Sequence, residues 1–178
     1  RYITGSIVRI KLKNFLTYDA VEVLPGPNLN MIVGPNGTGK SSIVAALALG
    51  LAGRTDVIGR QKSLSEFVKD GTEKAYTEIE LKGPRGKNTI VKRLFRKSSN
   101  SCEWKIDGVA TSEKSVKALV KGLNIHVDNL CSFLPQDRVA EFAGMNPYDL
   151  LKETQRAAGD ANLTDWHEEL IGLGKEEK

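Results

Sequence analysis

The sequence has no apolar stretch of about 18 residues or more, which excludes a membrane-spanning helix. Cysteine is scarce. Cys102 and Cys131 stand far apart and form no C-x-x-C pair, so neither a disulfide framework nor a thiolate metal site is indicated. Both read as buried free thiols in a reducing compartment. Histidine is equally rare, and nothing around His126 or His167 marks them as ligands. No internal repeat or low-complexity segment is visible. The chain opens on Arg1-Tyr2-Ile3-Thr4-Gly5, with no Met and no signal-peptide pattern, as expected of a piece excised from a longer protein.

What is present suits a folded domain. The chain has 178 residues, 40% apolar and 27% charged, enough for one domain with a proper core. The formal net charge of +4 is unevenly spread, because residues 82–97 hold seven Lys or Arg and no acid. Within that block Arg85, Lys87, Lys92, Arg93, Arg96 and Lys97 are candidates for contact with a polyanion such as DNA. A solvated β-ribbon face explains the same residues equally well.

The most informative stretch is Gly34-Pro35-Asn36-Gly37-Thr38-Gly39-Lys40-Ser41, followed by Ser42. It matches the phosphate-loop pattern G-x-x-x-x-G-K-[ST] at every specified position. Backbone N–H groups must curl around phosphate oxygens there, and side chains on the glycines would block the approach. Lys40 supplies a point charge for the β- and γ-phosphates, and the Ser41 hydroxyl is a ligand for Mg²⁺. The apolar run Leu29–Val33 in front reads as an interior strand, and Ile43–Leu49 behind as a helix whose N-terminal dipole favours an anion. The loop is expected to bind a nucleoside triphosphate together with Mg²⁺.

Around this loop the pattern alternates between strands and helices. Residues 6–12 and 20–24 alternate apolar and polar side chains as half-buried strands, joined by a connection at 14–19. Leu64, Phe67 and Val68 have helical spacing. Residues 75–81, 88–95 and 103–108 read as an antiparallel meander whose last strand runs into an Asp-Gly turn. Val116, Leu119, Val120 and Leu123 form one helical stripe. Leu130–Leu134 reads as a short strand running into Pro135-Gln136-Asp137-Arg138. Asn146-Pro147 is a helix start, an N-cap followed by Pro at the first helical position, and that helix is expected to stop at Gly159. A last helical stretch begins at Thr164.

Two further elements are missing. A self-sufficient NTPase of this class needs an apolar strand ending in an Asp that reaches the metal, and no such run occurs. No Asn-Lys-x-Asp guanine-reading motif occurs either, which argues against a GTPase. The sequence therefore reads as one part of a catalytic site.

The opening strand with Lys13-Asn14-Phe15, the run Leu29 to Ser42, and Phe133-Leu134-Pro135-Gln136-Asp137-Arg138-Val139 together resemble the N-terminal half of an ATPase head of the structural maintenance of chromosomes (SMC) family. The resemblance covers essentially the whole chain. Asn14–Tyr18, Phe133–Phe142, and Leu150–Thr154 with Ala157–Gly159 and Trp166–Leu170 most resemble the fifth-type subunits of the SMC five/six complex. The resemblance implies an α/β fold, an ABC-type P-loop NTPase head lobe over residues 1–160 with an antiparallel meander, and the start of a coiled-coil arm over 161–178. It implies that Gln136 is the Q-loop glutamine, which contacts Mg²⁺ or the attacking water. It places Arg60 in the family's arginine loop, and Lys13 and Asn14 near the nucleotide.

The implied partners are the protein's own C-terminal head half, a second SMC head of the sixth type forming a heterodimer, accessory subunits including a kleisin, and DNA without sequence preference. The implied location is the nucleus and the chromosome, with no membrane. The Leu-Ser-Gly-Gly signature and the Asp-Glu pair belong to the family's C-terminal half and do not occur here, so this stretch alone is expected to be inactive. A repair ATPase head of the Rad-fifty or RecN kind, a transporter ABC subunit with Tyr18 as its base-stacking residue, and a non-catalytic DNA-binding scaffold are the competing readings.

Overall fold

The computed structural model describes residues 1–58, 63–158 and 162–176, which fall into two compact units, 1–125 and 126–178. The first unit is built on one antiparallel sheet of six strands in the order β2-β1-β3-β4-β5-β6. The strands are β1 (Ile7–Phe15), β2 (Tyr18–Val23), β3 (Lys74–Lys82), β4 (Asn88–Arg96), β5 (Ser101–Ile106) and β6 (Val109–Thr111). Side chains alternate across a strand. That alternation buries Ile10 and Leu12 of β1, Ala75, Thr77, Ile79 and Leu81 of β3, and Val91, Arg93 and Phe95 of β4. Asn14 at φ 49 and Leu16 at φ 48 bend the end of β1, and Phe15 between them joins the core. There its ring lies 5.9 Å from Phe67 and 5.6 Å from Phe95.

Helix α1 (Lys40–Gly50) covers the buried face of the sheet. Its small residues let it come close: Ala45, Ala46 and Ala48 are all buried. Gly50 is required by that approach, because a Cβ there would sit 2.5 Å from Ile79 Cδ1 and 3.0 Å from Thr77 Oγ1. Helix α2 (Glu113–Gly122) follows the meander, with Ser112 Oγ accepting from Ser115 N at 3.1 Å as its N-cap. Its expected stripe is in place, with Val116, Val120 and the following Leu123 buried.

The opposite face of the sheet is charged and largely self-neutralised. Arg9 reaches Glu80 at 2.9 Å, Glu78 at 3.1 Å and Glu22 at 3.3 Å, while Lys92 pairs with Glu78 at 3.1 Å. Hydrogen bonds from Asn88 and then Arg9 hold the Glu80 carboxyl below its ordinary range.

The second unit carries α3 (Val139–Ala143), α4 (Pro147–Ala158) and α5 (Leu163–Glu176). Asn146 caps α4 as expected, its Oδ1 accepting from Asp149 N at 2.9 Å. The expected stop at Gly159 lies outside the described residues. Helices α4 and α5 pack through His167 on Gln155 at 2.9 Å, Tyr148 edge-on to His167, and a Lys152–Glu168 ion pair. No helix among the described residues is long and apolar enough to cross a membrane.

Several sequence expectations need correction. Leu29–Val33 is not a strand: Leu29 is 95% exposed and Met31 and Val33 are each 81% exposed. An apolar run becomes an interior strand only when neighbours complete its hydrogen-bond ladder, and none does so among the described residues. Leu130–Leu134 is a turn, because the buried Asn129 draws the backbone round. Its Oδ1 accepts from Cys131 N at 2.8 Å, and its carbonyl accepts from Phe133 N at 2.8 Å. Leu64–Phe67 forms a single 3₁₀ turn. The Asp107-Gly108 turn, at φ 50 and 83, returns into β6, a strand not anticipated. Neither thiol is buried: Cys102 is half-buried and Cys131 is exposed.

Candidate phosphate-binding site

Beyond β2 the chain runs as an exposed loop braced by Asn30, which accepts from Gly26 N at 2.7 Å and donates to Asn28 O at 2.7 Å. The loop then folds on itself. Thr38 Oγ1 donates to Pro35 O at 2.9 Å, and Lys40 Nζ donates to Gly34 O at 2.7 Å and Pro35 O at 2.6 Å. The ammonium is thus held over the loop by neutral carbonyls, and an incoming anion can replace them with a charged partner. Gly37 at φ 83 and Gly39 at φ 94 take left-handed conformations that favour glycine.

Helix α1 starts directly at Lys40. Its N-cap is Gly39, with no side-chain cap and no acid in the first turn. The N-terminal N–H groups are therefore free of the side-chain acceptors that close most helix starts, and the dipole there favours negative charge. Ser41, one residue in, is exposed, while Ser42 is buried.

The β1–β2 hairpin tip holds this loop from the other side. Thr17 Oγ1 lies 3.2 Å from Ser42 Oγ, and Tyr18 OH donates to Thr38 O at 3.3 Å. Lys69 anchors the tip through Asp19 at 2.8 Å, and that hydrogen bond holds the Asp19 carboxyl below its ordinary range. In the sequence Thr17 and Tyr18 stand out through the resemblance of Asn14–Tyr18 and through Tyr18 as a base-stacking residue, and neither reading points to this contact. No spacing signal marks a contact made by a hairpin tip.

Other expected residues lie elsewhere. Lys13 is exposed on β1, opposite Ala20 and Tyr76. Asn14 donates to Lys74 O at 3.1 Å and accepts from Lys69 N at 2.8 Å, which ties the hairpin base together. Among the described residues, no hydrogen bond joins either to residues 34–41. Arg60 lies outside the described residues. Gln136 is exposed at the start of a 3₁₀ turn in the second unit. No group of three His, Cys, Asp or Glu able to hold a metal occurs among the described residues.

The basic block divides. Arg93 is 5% exposed and belongs to the core, so it is removed from any surface role. Lys92 pairs with Glu78 at 3.1 Å, Arg96 with Glu103 at 2.6 Å, and Lys97 with Asp70 at 2.8 Å. Arg85 and Lys87 are exposed in the β3–β4 turn.

Residues 9–172 match the AAA domain family. The chain is 48% identical over 178 residues to structural maintenance of chromosomes protein 5 of Schizosaccharomyces pombe, covering 99% of this chain and 16% of that protein. It thus spans about a sixth of the length of that relative. A solved structure described as "Structural biochemistry of ATP-driven dimerization and DNA stimulated activation of SMC ATPases" superimposes with a TM-score of 0.74 at 19% identity, covering 89% of this chain and 100% of that one. An SMC head bound to the C-winged helix domain of ScpA also gives 0.74 at 19% identity, covering 87% of this chain and 51% of that one.

A Cβ at Gly39 would lie 2.6 Å from Thr17 Oγ1 and 2.8 Å from Tyr18 Cζ, on a backbone at φ +94. Gly39→Ala is therefore expected to force the loop and the hairpin tip apart and to cost about 1–3 kcal/mol, read as a lowered urea midpoint. An unchanged midpoint would show that the tip gives way freely.

Proposed function

We propose that this chain, which belongs to the AAA domain family as an N-terminal ATPase-head segment of the SMC type, binds ATP with Mg²⁺ through residues 34–42 and forms half of a hydrolytic site. The observation that carries this reading is the glycine-shaped loop running into an uncapped helix start, with Lys40 poised over it. N–H groups of the loop and of the first turn of α1 would hold the β- and γ-phosphates, and Lys40 would exchange its two carbonyl partners for phosphate oxygens. Ser41 would hold Mg²⁺, which neutralises charge on those oxygens. Gln136 would supply an amide oxygen to the metal or to the attacking water.

The remaining groups would come from outside this chain. A strand from the C-terminal half of the same head would pair with the exposed Leu29–Val33 run and bury it, by the strand addition that unpaired backbone invites. A second SMC head of the sixth type would close on the γ-phosphate, coupling ATP binding to engagement and hydrolysis to release. The exposed Trp166, Leu170 and Leu173 of α5 recur at i, i+4 and i+7, which supports residues 161–178 as the start of a coiled-coil arm beyond a lobe of residues 1–160. A kleisin among the accessory subunits, action on chromosomes in the nucleus, and a role in DNA entrapment and recombinational repair complete the reading.

For DNA, the exposed Arg85 and Lys87 replace Arg93 as the leading contacts, since Lys92, Arg96 and Lys97 already have carboxylate partners. Contact with phosphates would make binding salt-dependent and indifferent to sequence.

In the full-length protein, Lys40→Ala is expected to abolish ATP binding, measured with radiolabelled nucleotide. Near-normal affinity would show that the loop is misassigned. The isolated chain is expected to turn over little or no ATP, and robust phosphate release without a C-terminal half would overturn the half-site reading. Reversing Arg85 and Lys87 together to Glu is expected to lower the slope of log affinity against log salt for ATP-dependent DNA binding by about 2. No change in slope would return that turn to a solvated loop tip.

A further inference from the structure

Arg93 is an unusual core residue. It projects from the middle of β4 into the layer between sheet and helix and is 5% exposed. Its Nη1 donates to Leu49 O, in the last turn of α1, at 2.9 Å, and its Nη2 lies 3.4 Å from Cys102 Sγ. The guanidinium carbon sits 4.5 Å from the Trp104 ring centre and 5.0 Å from that of Phe95. Its Nε has no hydrogen-bond partner, and the neighbouring buried Thr77 hydroxyl and Trp104 indole supply no charge.

Among the described residues no carboxylate pairs with Arg93. Glu113, which lines the adjoining cavity, is taken by Lys117 at 2.6 Å. A buried cation without an anionic partner is costly unless something else carries negative potential. Here that is the C-terminal end of α1, whose last carbonyls carry partial negative charge, and the electron-rich ring faces add to it. Helix α1 has no basic residue of its own in its last turn, so Arg93 supplies the cation from the sheet.

The same helix points its other end at the phosphate loop. We propose that Arg93 is a long-range positioning residue for the triphosphate: a buried charge that caps the back of α1 and adds, through the low-dielectric core, to the positive potential at its front. This rests on the ATP reading of residues 34–42. Eleven helical residues span only about 16 Å, and a charge under this much protein is screened far less by salt than a surface lysine. The contribution is electrostatic, so it grows with the charge of the ligand. A purely structural role would affect all nucleotides alike.

The test compares the affinities of ATP, ADP and AMP for the full-length protein. Arg93→Met keeps an unbranched apolar stem but removes the charge, and Arg93→Lys keeps the charge. The Met variant is expected to bind ATP about two- to fivefold more weakly, ADP less affected and AMP least, with the Lys variant close to the parent. Arg93→Gln repeats the neutral case should the Met variant fail to fold, as judged by circular dichroism and thermal unfolding. An equal loss for all three nucleotides, a loss in the Lys variant as large as in the neutral one, or no loss at all would overturn the proposal. Failure of the parent protein to bind ATP would instead overturn the reading of the loop.

Discussion

The close seating of α1 on the antiparallel sheet is the constraint on which the rest depends. Glycine stands at both ends of the helix, where a side chain would collide. At its far end Gly50 passes Ile79 and Thr77 at distances that no Cβ could occupy, and just before its start Gly39 does the same against Thr17 and Tyr18. Fixing both ends fixes the direction of the helix, and with it the place where its free N–H groups emerge. The aromatic cluster of Phe15, Phe67 and Phe95 fills the wedge beside the helix and ties the hairpin carrying Thr17 to the sheet beneath.

Seen this way, the sheet has two functional faces. The buried face grips α1 through apolar contacts and through Arg93, whose charge is carried by a helix end and two rings in place of a carboxylate. The outer face spends most of its cations on its own acids, as around Arg9 and Lys92. Strand alternation divides the basic block of residues 82–97 between these two faces and the turn. A run of like charges in sequence is therefore not a patch of like charge in space.

The phosphate-loop pattern was legible because it is local: its glycines, Lys40 and Ser41 fall within residues 34–41. The meander and the α2 stripe were legible for the same reason, since periods of two and 3.6 residues report which side faces a core. The cap at Asn146 was likewise legible as a two-residue signal. The run Leu29–Val33 misled because apolar character states a demand for burial, not the presence of a partner strand to meet it. Leu130–Leu134 misled because one buried asparagine outweighed the apolar pattern beside it.

From the sequence alone came the alternation of the meander strands, the stripe of α2, the cap at Asn146 and the match of residues 34–41 to the phosphate-loop pattern. The family was also readable from it, through the resemblance carried by Lys13-Asn14-Phe15, the loop and Phe133–Val139. Tertiary structure alone decided that Thr17 and Tyr18 hold the loop, that Arg93 lies under the back of α1, and that Leu29–Val33 stands open. Local propensity and charge are properties of the chain. Which side chain meets which helix end is set by strand register and close packing, and these exist only once distant segments are brought together.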